Sequence, residues 1–358
     1  MTSPWTSAHV AAIDRDKAAI VPAFADAPRP LVGSDLYYWD MWPVQNPDGT
    51  IASIAGRRLW MALTAPDRGD PAARHFEARI RWLEQVDGSW VDRGAVLPPA
   101  AVPYEREWAG SALLDDGRVT LFFTGAGSAQ RAGGYQQMLF EAHGAVAADG
   151  SIGNWTVPTP SIRTLIPEYC PADAHEGEPG RIKAFRDPAF FRDPEDGTDY
   201  LVFTASLAAT TSDYNGAVGL ARRTSQGWAL LPPIVHADNV NNELERAHIV
   251  ARDGRYYLFW VTQHSTFSPD VAAGPTGLYG MVADGIVGPW RPLNGSGLVI
   301  ANPDADPFRC YSWFVSAEGV TAGFVDAPGG HGFVGAPAPL LQLVFDGDSV
   351  GLSAVALA

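Results

Sequence analysis

Residues 37–45 read Tyr37–Tyr38–Trp39–Asp40–Met41–Trp42–Pro43–Val44–Gln45, a run of aromatic and apolar side chains with one carboxylate inside it. Aromatic residues favour strands, so the run predicts a buried strand. Burying a carboxylate is costly unless it is paired or hydrogen-bonded, which makes Asp40 a candidate for chemistry. Trp39 and Trp42 would be walls against which a flat or puckered ring could pack. Taken alone, an Asp capping a turn at a strand end is the better reading. Two clusters downstream change the balance: Arg186–Asp187–Pro188 and Glu243–Leu244–Glu245–Arg246.

Outward from that stretch the chain is a succession of short apolar runs. Leu59–Leu63, Val119–Phe123, Tyr200–Thr204, Tyr256–Val261 and Val320–Val325 are the clearest. Asp-Gly pairs punctuate them at 48–49, 87–88, 116–117, 149–150, 196–197, 253–254 and 346–347. Asp-Gly between apolar runs is a strong hairpin signal. Only residues 7–20 suggest a helix, a short one in an N-terminal extension over residues 1–30. The stretch carrying Pro158, Pro160, Pro167, Pro171 and Pro179 reads as a long rim loop. With 37 Gly and 29 Pro, and no composition shift or linker, the chain is expected to be one all-β domain over residues 1–358. The odd clusters at Asp40, Trp108, Asp187, Glu245 and Tyr311 recur at intervals of roughly 60–80 residues, which suits radially arranged blades around a central funnel. A large sandwich is the alternative.

The 358 residues are 46% hydrophobic, enough for a large core. A net charge of −15 leaves no basic patch for nucleic acid and argues against anionic membranes. No run approaches the about 20 apolar residues of a spanning helix. A neutral substrate follows, and sugars fit the 12 Trp and 11 Tyr. Cys170 and Cys310 provide no disulfide framework and no zinc spacing, though the two could pair. Asp14, Arg15, Asp16 and Lys17 interrupt the region where a secretory signal needs an apolar run, so a cytoplasmic protein is expected, or one lacking its export signal.

Cleaving a glycosidic bond takes one carboxylic acid to protonate the leaving oxygen and a second carboxylate to attack or stabilise the anomeric carbon. Glu243 and Glu245 lie two apart, so on a strand they lean the same way, and mutual repulsion raises the pKa of at least one. Arg246 would face the other way. The guanidinium of Arg186 beside Asp187 should keep that carboxylate ionised. A second Phe-Arg-Asp-Pro, 191–194, is followed closely by Asp-Gly and reads as a turn. Glu107–Trp108–Ala109–Gly110–Ser111 sets small residues after a Trp and allows a ligand close approach.

In order along the chain, WDMWPVQ, EWAGSA, FRDP, NELERAH, YLFWVTQHSTF, GLYGMVADGIVGPWRPLNGSGLV and CYSWFV make it resemble glycoside hydrolase family 68 over about residues 35–326. That family comprises levansucrases, inulosucrases and bacterial β-fructofuranosidases. The resemblance implies a five-bladed β-propeller, a retaining mechanism on sucrose and acceptor sugars, and no cofactor. By motif, Asp40 resembles the nucleophile, Glu245 the general acid/base and Asp187 the transition-state stabiliser. Arg186, Trp39 and Trp108 would line the fructosyl subsite, with Glu243, Arg246 and Tyr311 around the acid/base. Four positions depart from the family. Ala109 stands where many members carry a Ser that holds the nucleophile, and Met41 replaces a small polar residue. Gln263 stands where others have Arg or His near the acceptor. Asn242 replaces a calcium-binding Asp, so no metal is expected. Short products are then expected over long levan. The rivals are a related furanosidase on another substrate and a sugar-binding propeller without activity. Oligomeric state is not legible.

Overall fold

The computed structural model describes residues 2–24, 35–174 and 182–353. The chain is all-β, and among the described residues five successive antiparallel groups of strands follow one another. The first holds Leu36–Gln45, Leu59–Pro66, Arg79–Val86 and Ser89–Ala95. The second holds Arg106–Asp115, Arg118–Ala126 and Gln137–Val146, with Ile152–Gly153 and Thr159–Pro160 at its edge. The third runs through Phe185–Arg192, Asp199–Ser206, Gly216–Thr224 and Gly227–His236. The fourth comprises Glu245–Arg252, Arg255–Thr262, Gly277–Ala283 and Leu298–Ala301, and the fifth Cys310–Val315, Val320–Val325, Leu341–Asp346 and Ser349–Leu352. The first two groups share one sheet, because Val44 and Gln45 pair in parallel with Ala112 and Leu113.

The first two strands of each group are largely buried on both faces, while the outer strands are partly exposed. That is why Arg255–Thr262 and Val320–Val325 read as continuous apolar runs instead of alternating ones. Apolar clusters fill the gaps: Leu113 and Phe122 meet Phe185 and Phe190 between the second and third groups, and Val202 and Val218 meet Ile249 and Leu258 between the third and fourth. Tyr38, Met41 and Trp60 meet Val320 and Ala322, so the fifth group packs back on the first and the ring closes. The first strand of each group faces the middle.

The Asp-Gly signal holds best at 87–88, 116–117 and 253–254, where both residues have positive φ and link adjacent strands by two residues, as a type I′ hairpin requires. Asp48–Gly49 makes only a turn closed by a single bridge from Gln45 to Ile51. The N-terminal helix is confined to Ser7–Ala11, and residues 12–18 turn toward the short strand Ala19–Ile20. Ser3–Pro4 pairs in parallel with the outer strand of the third group, and Ala19–Ile20 with that of the fourth. Trp5, between them, packs on Trp260, Phe267 and Tyr279 and donates its indole N–H to Ser296 O at 2.9 Å. The rest of the expected extension, from residue 25, lies outside the described residues. Pro179 of the expected rim loop also lies outside them, while Thr159–Pro160 of that loop forms an edge strand. Cys170 and Cys310 are free thiols. No described helix is long and apolar enough to cross a membrane.

Candidate active site

The inner strands surround a pocket of about 650 Å³. All ten residues singled out for substrate chemistry line it: Trp39, Asp40, Trp108, Arg186, Asp187, Glu243, Glu245, Arg246, Gln263 and Tyr311. They arrive by one device repeated around the ring. In every inner strand the pairing register slips at the functional position: between Trp39 and Trp42, Trp108 and Gly110, Arg186 and Ala189, Glu245 and His248, and Tyr311 and Phe314. A bulge adds an unpaired residue and re-aims a side chain out of the sheet's alternation. At four of the five the extra residue takes positive φ: Asp40 at 47°, Asp187 at 59°, Arg246 at 51° and Ser312 at 60°. Such a conformation costs a non-glycine residue on the order of 1–3 kcal/mol and persists only when its surroundings over-determine it.

Arg186 is the hub. Its Nη2 lies 2.9 Å from Glu243 Oε1 and 2.8 Å from Glu245 Oε1, and its Nε is 3.4 Å from Asp187 Oδ2. Burial alone would lower the guanidinium pKa, but Glu243, Glu245 and Asp187 together hold it above its ordinary value. Tyr311 donates its hydroxyl to Glu245 Oε2. Glu243 does not share a strand with Glu245, which begins one. Burial first, and then the Glu245 charge, raises the pKa of Glu243, although the two do not lean together from one strand as their spacing suggests.

One expectation is corrected here. Arg246 does not face away from the pocket, because its bulge turns it inward. Its Nη1 donates to Ser312 O and Oγ at 3.1 and 2.9 Å, and its Nη2 to Met41 O at 3.1 Å. Burial acts most strongly on Asp187 and pushes its pKa up to about 6, while the Arg186 charge lowers it, as its place beside the carboxylate predicts.

Asp40 also has its pKa raised by burial, opposed by the Arg246 charge and by a hydrogen bond from the Ser312 hydroxyl. Ser312 therefore supplies the restraint that Ala109 cannot. Sequence reading missed it, and only its place within Cys310–Val315, a quoted motif, could have signalled it. Arg74 and His75 were missed as well. Both stand on the short Arg74–Glu77 helix after the second strand of the first group and line the pocket. Arg74 sits over the Phe333 and Trp39 rings at 4.1 and 5.7 Å, and the His75 carbonyl accepts the Trp108 indole N–H at 3.0 Å. Burial, with Arg74, Arg106 and Arg186 nearby, lowers His75 to about 3, so it is neutral. No group of three His, Cys, Asp or Glu able to hold a metal ion occurs among the described residues.

The family profile described as Levansucrase/Invertase matches residues 1–217 and 211–349. A levansucrase of Rahnella aquatilis is 28% identical over 397 residues, covering 96% of this chain and 92% of its own. A levansucrase of Zymomonas mobilis is 30% identical, covering 95% of this chain and 88% of its own. The inulosucrase of Halalkalicoccus jeotgali, solved bound to kestose, superposes with a TM-score of 0.88 at 34% identity, covering 99% of this chain and 97% of that one.

Proposed function

Because the chain belongs to glycoside hydrolase family 68, the Levansucrase/Invertase family, we propose that it cleaves sucrose by double displacement through a fructosyl unit held on Asp40. It is an enzyme of the glycoside hydrolase and fructosyltransferase class. The five groups of strands around one pocket are read as the blades of a five-bladed propeller.

The observation that carries the mechanism is the set of three carboxylates on bulges facing one pocket, with Arg186 touching two of them and Arg246 countering the third. In the first step an Asp40 oxygen attacks C2 of the fructosyl unit while Glu245 gives its proton to the departing glucosyl oxygen. Asp187 then faces the positive charge that develops on the ring, and Trp39 and Trp108 wall it in. In the second step Glu245 takes a proton from water or an acceptor hydroxyl, that oxygen attacks C2, and Asp40 is released. Two inversions give retention. The levansucrase and inulosucrase relatives support sucrose as the donor.

Gln263 lines the pocket as a neutral amide, which holds an acceptor less firmly than a charged donor would. Hydrolysis and transfer of single fructosyl units to small sugars are therefore expected over growth of a long levan. Glucose release and chromatography on purified wild type and Asp40→Asn test both claims. The variant should keep its fold by circular dichroism and retain below about 1% of wild-type glucose release; more would sink Asp40 as nucleophile. Abundant high-molecular-weight fructan from wild type would overturn the product claim alone.

A further inference from the structure

Eight large apolar side chains are exposed among the described residues, and Phe76, on the short Arg74–Glu77 helix, is the one of them that lines the pocket. It is 42% exposed. A lone exposed apolar residue is ordinary. This one is held in place. Arg106, itself 1% exposed, sets its guanidinium 4.9 Å from the Phe76 ring and 5.4 Å from the Trp108 ring. The same guanidinium donates to Glu105 Oε2 at 2.8 Å and to Gly134 O. Gly134 precedes Tyr135, which also lines the pocket and meets Phe76 edge to face with centroids 5.7 Å apart at 61°. One buried cation thus lies against both the Trp108 wall and Phe76, where desolvation strengthens its grip on the two π-faces, and its bond to Gly134 O ties down the backbone next to Tyr135.

Sugar rings carry apolar C–H faces, and a rigid, half-exposed aromatic pair offers them a surface at little entropic cost. We infer that Phe76 and Tyr135 form an outer sugar platform, which takes a ring of an oligosaccharide acceptor beyond the one that attacks the fructosyl unit. The inference rests on the fructosyl-transfer reading for the inner pocket. A monosaccharide acceptor is too short to use both places.

The test uses the full chain with labelled sucrose as donor, and kestose or xylose as acceptor. The acceptor concentration that diverts half of the label from free fructose is the readout. Wild type should need at least five-fold less kestose than xylose. Phe76→Ala and Tyr135→Ala should each bring the two acceptors within two-fold, and Phe76→Trp, which keeps a ring at the site, should preserve the gap. No gap in wild type, or a gap that Phe76→Ala leaves intact, overturns the platform. If wild type releases no glucose from sucrose, the fructosyl reading is what fails. Kestose titration of tryptophan fluorescence then examines the platform alone, and equal affinity in wild type and Phe76→Ala overturns it.

Discussion

Asp187 is the residue at which function and stability pull hardest apart. Its pKa of about 6 lies above the ordinary 3.8 because the carboxylate is buried. A raised carboxylate pKa means the folded state is favoured while the group is protonated. That advantage is whole below about pH 4 and is lost as pH rises through 6. The two-unit difference corresponds to about 3 kcal/mol withheld from the folded enzyme at neutral pH. Asp187→Asn should therefore melt several degrees above wild type at pH 7.5 and level with it at pH 4, while sucrose cleavage falls on the order of 10²–10³-fold or more. Thermal melts at the two pH values decide it, and a variant no more stable at pH 7.5 would show that the charge is compensated. Asp40 and Asp187 were legible in the sequence because each puts charge into apolar surroundings, and Glu245 through its spacing from Glu243 and the family motif around it. Ser312, Arg74 and His75 were not. A serine within a strand motif and a basic pair after Pro71 look the same whether they face a pocket or water, and only the closed ring brings them to the carboxylates.

At the scale of the strand, the bulges decide which side chains reach the pocket. A strand's alternation alone would have sent Arg246 away from Glu245, and that expectation failed for this reason. An extra residue in a ladder leaves no compositional mark, so no sequence pattern could have announced it. The bulge of the second group leans on Gly110. A Cβ there would sit 1.8 Å from Phe122 O, deep in the pairing of Arg106–Asp115 with Arg118–Ala126. Gly110→Ala should cost about 3 kcal/mol or more, lowering the melting temperature and the rate together as Trp108 and Ser111 shift. Gly153→Ala, which meets nothing within 4 Å, is the matched control and should change neither. If the two variants melt alike, the close approach at Gly110 is relieved by movement of the neighbouring strand.

For the whole molecule, the all-β class was readable from the runs and their Asp-Gly turns, but the N-terminal segment was not. Its two parallel pairings span two groups of strands, and two-residue strands carry no periodicity to detect. Trp5 anchors them at 1% exposure among three aromatic rings. Trp5→Ala should cost about 3–5 kcal/mol, roughly 4–7 °C in melting temperature for a chain of this length, whereas Trp5→Phe should recover most of it. A fall below about 2 °C in scanning calorimetry would mean that the segment's docking adds nothing.

That segment also sets an order of events during synthesis. Ser3 leaves the ribosome 232 residues before its partner Val235, and Ile20 leaves 281 residues before the Ala301 that it pairs with. At about 5–20 residues per second, the N-terminus waits roughly 15 s to a minute before the second of its partners exists. Throughout that time Trp5 has no pocket to enter, so a segment made long before its partners is among the last to be secured.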